Sequence, residues 1–392
     1  MAPTVVILGG AYGGLQIAHS LLKNNKEAKV VLVSKNSHFY WNLASVRAIV
    51  PGSVEDKQMF VSLTEALSRY PKERYEVIVG SAEGVDTAAK TVKVAIPGTA
   101  EPRSISYDQL VLATGSRNTQ PEKRAGAGAD EAIPATPWKA DGTYEEITAL
   151  LQATREKVKA AKHIVVAGGG STGVEAAAEL GYAFGGKSED KGGKQIVLLS
   201  SGAEILGSDI IASSARNELN KLHVDVRTGA GVTAARTLPD GRIELTVAGA
   251  SEPLITDLYL AAVGLTPNTE YLDASLLNDR KNVEVDEFYH VKGVASNDVW
   301  AVGDVVSKPR AGFVITMKQA GGVAKNVDLV LKGKSPQVVK LLPVDVMVVA
   351  TGPSRGAGRL NSWRLPSLAV WVAKGRTLGL NMVAGYLNGS AA

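Results

Sequence analysis

Apolar residues in this chain gather into short unbroken runs that stop at glycine and are followed by stretches of helical spacing. Val5-Val6-Ile7-Leu8 ends at Gly9-Gly10 and leads into Leu15-Gln16-Ile17-Ala18-His19-Ser20-Leu21-Leu22. That pattern predicts a buried strand, a tight turn and a helix. Lys29–Ser34 predicts the second strand of a βαβ unit. The same syntax returns at His163–Glu175, where an apolar run meets Gly168-Gly169-Gly170, with Lys194–Ser201 as its second strand. Tyr107–Ser116 and Leu258–Gly264 are two further buried strands, each running into a glycine. The chain therefore holds one internal duplication: glycine loop, second strand, later a strand that ends at glycine. Tyr75–Pro97 alternates in strand fashion and predicts a small antiparallel meander. Residues 117–142, rich in Gly, Ala, Pro and charge, predict a linker. Tyr144–Lys162 and Phe313–Val330 predict helices.

Strands alternating with helices predict an α/β fold with parallel sheets. In the first loop Gly9 makes the tight turn and Gly14 lets the helix pack against the strand, with Gly10, Ala11 and Gly13 between them. Backbone N–H groups at the helix start then face a pyrophosphate. Ala11 stands at the middle glycine of the pattern and admits a phosphate less closely. The second loop is complete at Gly168, Gly170 and Gly173, with Thr172 beside the last. One such loop is also an ordinary strand-to-helix turn; two copies in the strand-then-helix context predict two dinucleotides.

An acid usually ends the second strand and holds the ribose. Here Ser34 stands there, followed by Lys35, which reads equally as a phosphate contact or a solvated lysine. Ser200 and Ser201 take the place in the second unit. With neither acid nor arginine, the sequence does not separate NADH from NADPH. Thr114-Gly115 and Gly264 let the backbone pass close to a bound cofactor. Gly303-Asp304 ends a strand and can aim a carboxylate at a ribityl hydroxyl. Residues 37–47 crowd Phe39, Tyr40 and Trp41 together; they read either as a shield for a flavin, with Asn42 or Arg47 in contact, or as a packed aromatic loop.

The 392 residues contain no cysteine, which excludes a redox-active disulfide, thiolate catalysis and Cys-ligated metal. Five scattered histidines carry no metal-ligand spacing. The net charge of +4 is concentrated late. From position 340 onward Lys340, Arg355, Arg359, Arg364, Lys374 and Arg376 face a single acid, Asp345. These cations lie among Trp363, Leu365, Leu368 and Trp371, a mixture that predicts peripheral contact with an anionic membrane rather than with nucleic acid. No secretory signal is evident, Ala2 excludes N-myristoylation, and no apolar run approaches the ~18 residues of a membrane span. The expected location is intracellular, cytoplasmic or peripheral to a membrane.

The order GGAYGG, LVLATGS, AGGGSTGVEAAAEL, AAVGLTPN and VWAVGD resembles flavoproteins with two dinucleotide-binding domains. Within them it is most similar to the apoptosis-inducing-factor-homologous group, which includes the ferroptosis suppressor protein, and next to type II NADH dehydrogenases. The resemblance implies two Rossmann-like domains, an FAD domain with an inserted NAD(P)H domain, plus a small C-terminal domain. The expected boundaries are 1–117 and 265–332 for FAD, 118–264 for NAD(P)H, and 333–392 for an acceptor- or membrane-facing part. It implies FAD held by the first loop and Asp304, hydride transfer from NADH or NADPH to the flavin, and a quinone-type acceptor. Glu175 is expected to orient the nicotinamide carboxamide. Gln319 is expected to bond the flavin edge or meet the acceptor, or to be a surface glutamine. The start of the helix near Phe313 is expected to face the flavin pyrimidine. Rival readings are a flavin oxidoreductase acting on a soluble metabolite in a biosynthetic pathway, and a nucleic-acid-binding or signalling flavoprotein.

Overall fold

The computed structural model describes residues 2–119, 135–188, 190, 192–307, 312–341 and 344–392. Residues 120–134, most of the expected linker, lie outside the described residues. The chain opens with β1 (Thr4–Leu8), α1 (Tyr12–Asn24) and β2 (Lys29–Ser34), then adds β3 (Tyr75–Val79) and β4 (Gln109–Leu112). Next come α2 (Tyr144–Ala160), β5 (His163–Ala167), α3 (Ser171–Phe184), β6 (Gln195–Leu199), β7 (Val224–Arg227) and β8 (Leu258–Ala261). The chain returns with β9 (Val299–Ala301) and α4 (Phe313–Leu331), and closes on β10 (Val346–Ala350), β11 (Gly356–Leu360) and β12 (Trp363–Leu365).

Two parallel sheets form, in the orders β9-β4-β1-β2-β3 and β7-β6-β5-β8. β1 is central, with Val6 opposite both Val31 and Leu110. In the second sheet β5 takes the same place, with Val165 opposite Val197 and Tyr259. Strands buried on both faces have no polar side to show, which is why these runs are unbroken in the sequence. The expected meander is corrected in part. Tyr75–Val79 pairs parallel with β2 as the edge of the first sheet, and an edge strand alternates much as a meander strand does. Ser81–Asp86, Thr91–Ala95 and Arg103–Ser106 make the antiparallel sheet.

The chain passes between the two sheets twice, at one place. Ser116–Asn118 and Leu265–Pro267 form an antiparallel ladder with Arg117 opposite Thr266 and Asn118 opposite Leu265. Beside it the Thr114 hydroxyl donates to Asn268 O at 2.7 Å, and Asn268 Nδ2 returns a bond to Thr114 O at 3.0 Å. The C-terminal segment is an antiparallel sheet, β10-β11-β12, followed by short helical turns. It is tied to the first unit: Trp41 Nε1 donates to Leu378 O at 2.8 Å, and His19 Nε2 bonds Tyr386 O at 2.8 Å.

Candidate functional site

Three helix starts converge on one cleft of ≈ 570 Å³, a size suited to a cofactor. Ala11 and Gly13 at α1, Ser171 and Thr172 at α3, and Gly312 and Phe313 at α4 all line it. None of the three helices has a side-chain cap or an acid in its first turn. By contrast α2, whose Ile147 also lines the cleft, is closed by a full capping box of Thr143 and Glu146. Uncapped N–H groups and the positive end of the helix dipole leave each of the three starts ready for an anion.

The glycine loops explain how the backbone reaches the cleft. Gly9 sits at φ 110°, and a Cβ there would lie 2.3 Å from Ala113 O. A Cβ on Gly14 would lie 1.8 Å from Gly9 O. Gly168 and Gly173 repeat both constraints in the second unit, against Ala262 O at 2.1 Å and Gly168 O at 1.9 Å. Around Gly170 the space is open, with nothing within 4 Å of a Cβ. Ala11 is exposed at the mouth of the first turn, so its methyl group does not close it.

The duplication extends to Ser34 and Ser200. Ser34 Oγ lies 2.9 Å from a Cβ built on Gly10, and Ser200 Oγ lies 2.3 Å from one built on Gly169. Each serine therefore aims its hydroxyl at the second glycine of its own loop. Lys35 lines the cleft and pairs with Asp141 at 3.3 Å. Gly115 (φ 69°) and Gly264 (φ 113°) turn the chain at the ends of the equivalent strands.

Asp304, after β9, is nearly buried and faces the cleft. It accepts from Ser116 Oγ at 2.8 Å and pairs with Lys139. Gly303 precedes it at φ 79°. Tyr12 donates to Asn42 Oδ1 at 2.8 Å, and both residues line the cleft. Phe39, Trp41, Phe313 and Tyr386 surround the Tyr12 ring with centroids 5.1–5.9 Å away. Burial raises the Tyr12 phenol well above its usual range, so it serves as a neutral hydrogen-bond donor. The glycine cradles, the uncapped starts and the Asp304 carboxylate together fit a flavin dinucleotide in the first unit and a pyridine dinucleotide in the second.

Glu175 lines the cleft, and its Oε1 accepts from Ala350 N at 2.9 Å and pairs with Lys374 Nζ at 2.5 Å. One turn along α3, Glu179 is held by Arg47. Burial pushes the Glu179 carboxyl up, and the Arg47 guanidinium opposes that shift. Lys374 stands in a π-helical turn, Trp371–Gly375. At the end of this turn the Gly375 carbonyl, and beyond it that of Arg376, accept from Arg47.

Two expected contacts are corrected. Arg47 does not face the cleft; its guanidinium is consumed by Glu179 and the two carbonyls. Gln319 is not at a surface either. Its Oε1 accepts from Gly303 N at 2.8 Å and its Nε2 donates to Tyr289 Oη at 3.2 Å. It therefore holds the turn that carries Asp304. Sequence reasoning missed Tyr12, Ser116, Lys139 and Lys374. Tyr12 lies inside the glycine loop, and Lys374 answers a buried acid; those were the available signals. Lys139, at φ 56° in the expected linker, gave none.

A model of the family described as pyridine nucleotide-disulphide oxidoreductase matches residues 3–321. Oxidoreductase ptaL of Pestalotiopsis fici is 35% identical over 373 residues, covering 93% of this chain and 94% of that protein. Ferroptosis suppressor protein 1 of Xenopus laevis is 26% identical over 392 residues, covering 95% and 93%. Among solved structures, NDH2 of Plasmodium falciparum in complex with NADH superposes with a TM-score of 0.74 at 15% identity, covering 95% of this chain and 94% of that one.

Proposed function

The chain belongs to the pyridine nucleotide-disulphide oxidoreductase family and is an NAD(P)H-dependent flavoprotein oxidoreductase, and on that premise we propose that it delivers electrons to a quinone-type acceptor. The observation that carries this reading is the convergence of three uncapped helix starts on one cleft in a chain without cysteine. Without a thiol pair to relay electrons, the acceptor must meet the flavin itself. When bound, FAD supplies the two-electron redox chemistry.

The residues of the chain do the placing. The α1 start and its glycine loop hold the FAD pyrophosphate, Ser34 a ribose and Asp304 the ribityl chain. The second loop and Ser200 hold NAD(P)H. Glu175 uses Oε1 for Ala350 and Lys374, and Oε2 receives the nicotinamide amide. The Lys374 ammonium, 20% exposed beside the cleft wall, gives a quinone-type acceptor a cation against which negative charge can build.

Trp363, Leu368 and Val372 are 78%, 70% and 65% exposed on the C-terminal segment, next to Arg364. This supports peripheral contact with an anionic membrane, where a lipid-borne acceptor is found. No helix among the described residues is long and apolar enough to cross a membrane. A soluble acceptor is the second reading. It is favoured by the inward turn of part of the same segment: Lys374 and Arg359 are ion-paired with Glu175 and Asp209, and Trp371 Nε1 donates to Pro353 O at 2.8 Å.

The test is anaerobic reduction of the FAD-loaded protein by NADH and by NADPH, followed by mixing with a water-soluble quinone, a lipid quinone in anionic vesicles, and oxygen. Fast reoxidation by the quinones supports the reading. Reoxidation by neither quinone sinks it and leaves the soluble-metabolite reading in front.

A further inference from the structure

Residues 206–208 form a run of three left-handed positions, with Leu206 at φ 55°, Gly207 at φ 63° and Ser208 at φ 61°. Only the glycine adopts this region freely; a leucine and a serine stay there because their surroundings require it. The bonds of the turn show what it serves. Leu206 N–H donates to Gly169 O at 2.7 Å, inside the second glycine loop. Gly169 C=O and Gly170 N–H belong to one planar trans peptide and point in opposite directions. Holding the carbonyl from behind therefore aims the Gly170 N–H toward the open side, where a Cβ on Gly170 would meet nothing within 4 Å. In the first loop a Cβ on Gly10, the counterpart of Gly169, would meet the Leu63 side chain at 2.5 Å.

The turn is closed by Asp209. Its Oδ1 and Oδ2 accept from Arg359 Nε at 2.9 and 2.7 Å, and Oδ1 also accepts from Ile211 N at 3.2 Å. Both side chains of the pair are 11% exposed. Arg359 lies on β11 of the C-terminal sheet, and its remaining donors reach the Asp345 carboxylate at 2.6 Å and Asn361 O at 3.0 Å. A continuous path thus runs from a C-terminal arginine, through a carboxylate and a strained turn, to the peptide that faces the nucleotide phosphates.

We propose that Arg359 is a positioning residue for the pyridine nucleotide, acting through Asp209 to hold the 206–208 turn against the second glycine loop. This rests on the reading of that loop as the NAD(P)H site. It gives the C-terminal segment a role at the electron-donor end of the molecule, besides any contact it makes with the acceptor.

The experiment uses the full-length, FAD-loaded protein and the variants Arg359→Met, Arg359→Lys, Asp209→Asn and the Arg359→Met/Asp209→Asn pair. Calorimetric titration with ADP-ribose reads nucleotide affinity without hydride transfer, absorbance reads FAD content, and steady-state kinetics separate KM from kcat. Arg359→Met and Asp209→Asn are each expected to weaken ADP-ribose binding roughly tenfold and to raise KM for NAD(P)H alike, with kcat changed by less than about twofold. FAD content stays at the wild-type level. The double variant is expected to match the singles, because both cut the same path, and Arg359→Lys to recover part of the affinity.

Unchanged ADP-ribose affinity in folded Arg359→Met overturns the proposal, as does FAD loss in step with nucleotide loss. Should Arg359→Met fail to fold, Asp209→Asn and Arg359→Lys decide on the same criteria. Wild-type protein that does not bind ADP-ribose overturns the nucleotide reading itself, and with it the proposal.

Discussion

Arg47 and Glu179 meet through two parallel hydrogen bonds, Nε to Oε2 at 3.0 Å and Nη2 to Oε1 at 2.7 Å. Their side chains are only 9% and 4% exposed. The same guanidinium donates to Gly375 O at 2.7 Å and Arg376 O at 3.1 Å. One side chain thus binds the aromatic loop of the first unit, the α3 helix of the second and the C-terminal segment. Removing it leaves a buried carboxylate and two carbonyls without partners. Arg47→Ala is expected to cost about 3–5 kcal/mol, whereas Arg47→Met with Glu179→Leu costs less because no charge is stranded. Urea unfolding of the three proteins measures it; a single variant no weaker than the double contradicts the expectation.

Asp304→Ala should release flavin. The carboxylate is aimed into the cleft by the Gly303 turn and by the Gln319 bond to Gly303 N. The ratio of flavin to protein absorbance after gel filtration is expected to fall severalfold for Asp304→Ala and less for Lys139→Ala. Equal retention in Asp304→Ala and wild type would show that the glycine cradle suffices.

Glu175→Gln should slow flavin reduction while leaving FAD bound, since Glu175 lines the cleft from the α3 side. Lys374→Met removes the ammonium that holds Glu175 Oε1 and should act in the same direction. A loss of roughly tenfold corresponds to about 1.4 kcal/mol of transition-state stabilisation. Stopped-flow reduction at wild-type rates in both variants would assign the pair to structure alone.

The protein should lose stability in mild acid through His19. Burial pushes this imidazole down to about 4, with Nε2 bonded to Tyr386 O at 2.8 Å and Nδ1 to Tyr70 Oη at 3.0 Å. The neighbouring cations Lys23 and Arg69 push the same way. Unfolded histidine takes its proton near pH 6.5. Between there and pH 4 the unfolded chain holds a proton that the folded chain does not. Stability is therefore full above pH 6.5 and falls as pH drops through this window, by up to about 3 kcal/mol. His19→Gln keeps a donor and an acceptor without titrating. The urea midpoint is expected to drop between about pH 7.5 and pH 5 in wild type and to drop less in this variant.

Membrane contact is expected to depend on Trp363, Leu368 and Val372, the outward apolar residues, more than on Trp371. In a flotation assay, wild type should rise with anionic vesicles, and the Trp363→Ser/Leu368→Ser/Val372→Ser variant should stay behind. Equal behaviour of the two proteins, floating or not, removes the membrane from the reading.

The parallel sheets and both glycine turns are legible in the sequence, because an unbroken apolar run before glycine, followed by helical spacing, has few other uses. Arg47 and Gln319 are not. A polar side chain that faces a cleft and one that satisfies a buried amide are the same letters, and the partner of Arg47 lies 132 positions away. A usable signal was present in α3: Glu175 and Glu179 sit one turn apart within the alanine-rich stretch Val174–Leu180. Two acids on a buried face require cations from elsewhere, and those are Lys374 and Arg47. The net charge of the tail treats every cation as outward. Arg359 and Lys374 face inward because specific carboxylates receive them there, and a charge count cannot register that.

The ladder between Ser116–Asn118 and Leu265–Pro267 bears on how such molecules are rebuilt. Asn118 and Leu265 are paired across it, so the intervening segment departs and returns through a single doorway, its two ends about 5 Å apart. It is in effect a cassette. Excised, it leaves a gap that a two-residue turn can close; exchanged, it takes with it Lys139, Asp141 and Glu179, the partners of Asp304, Lys35 and Arg47. A graft from a related protein must bring carboxylates matching Asp209, Glu175 and Glu179, because Arg359, Lys374 and Arg47 wait for them in the host.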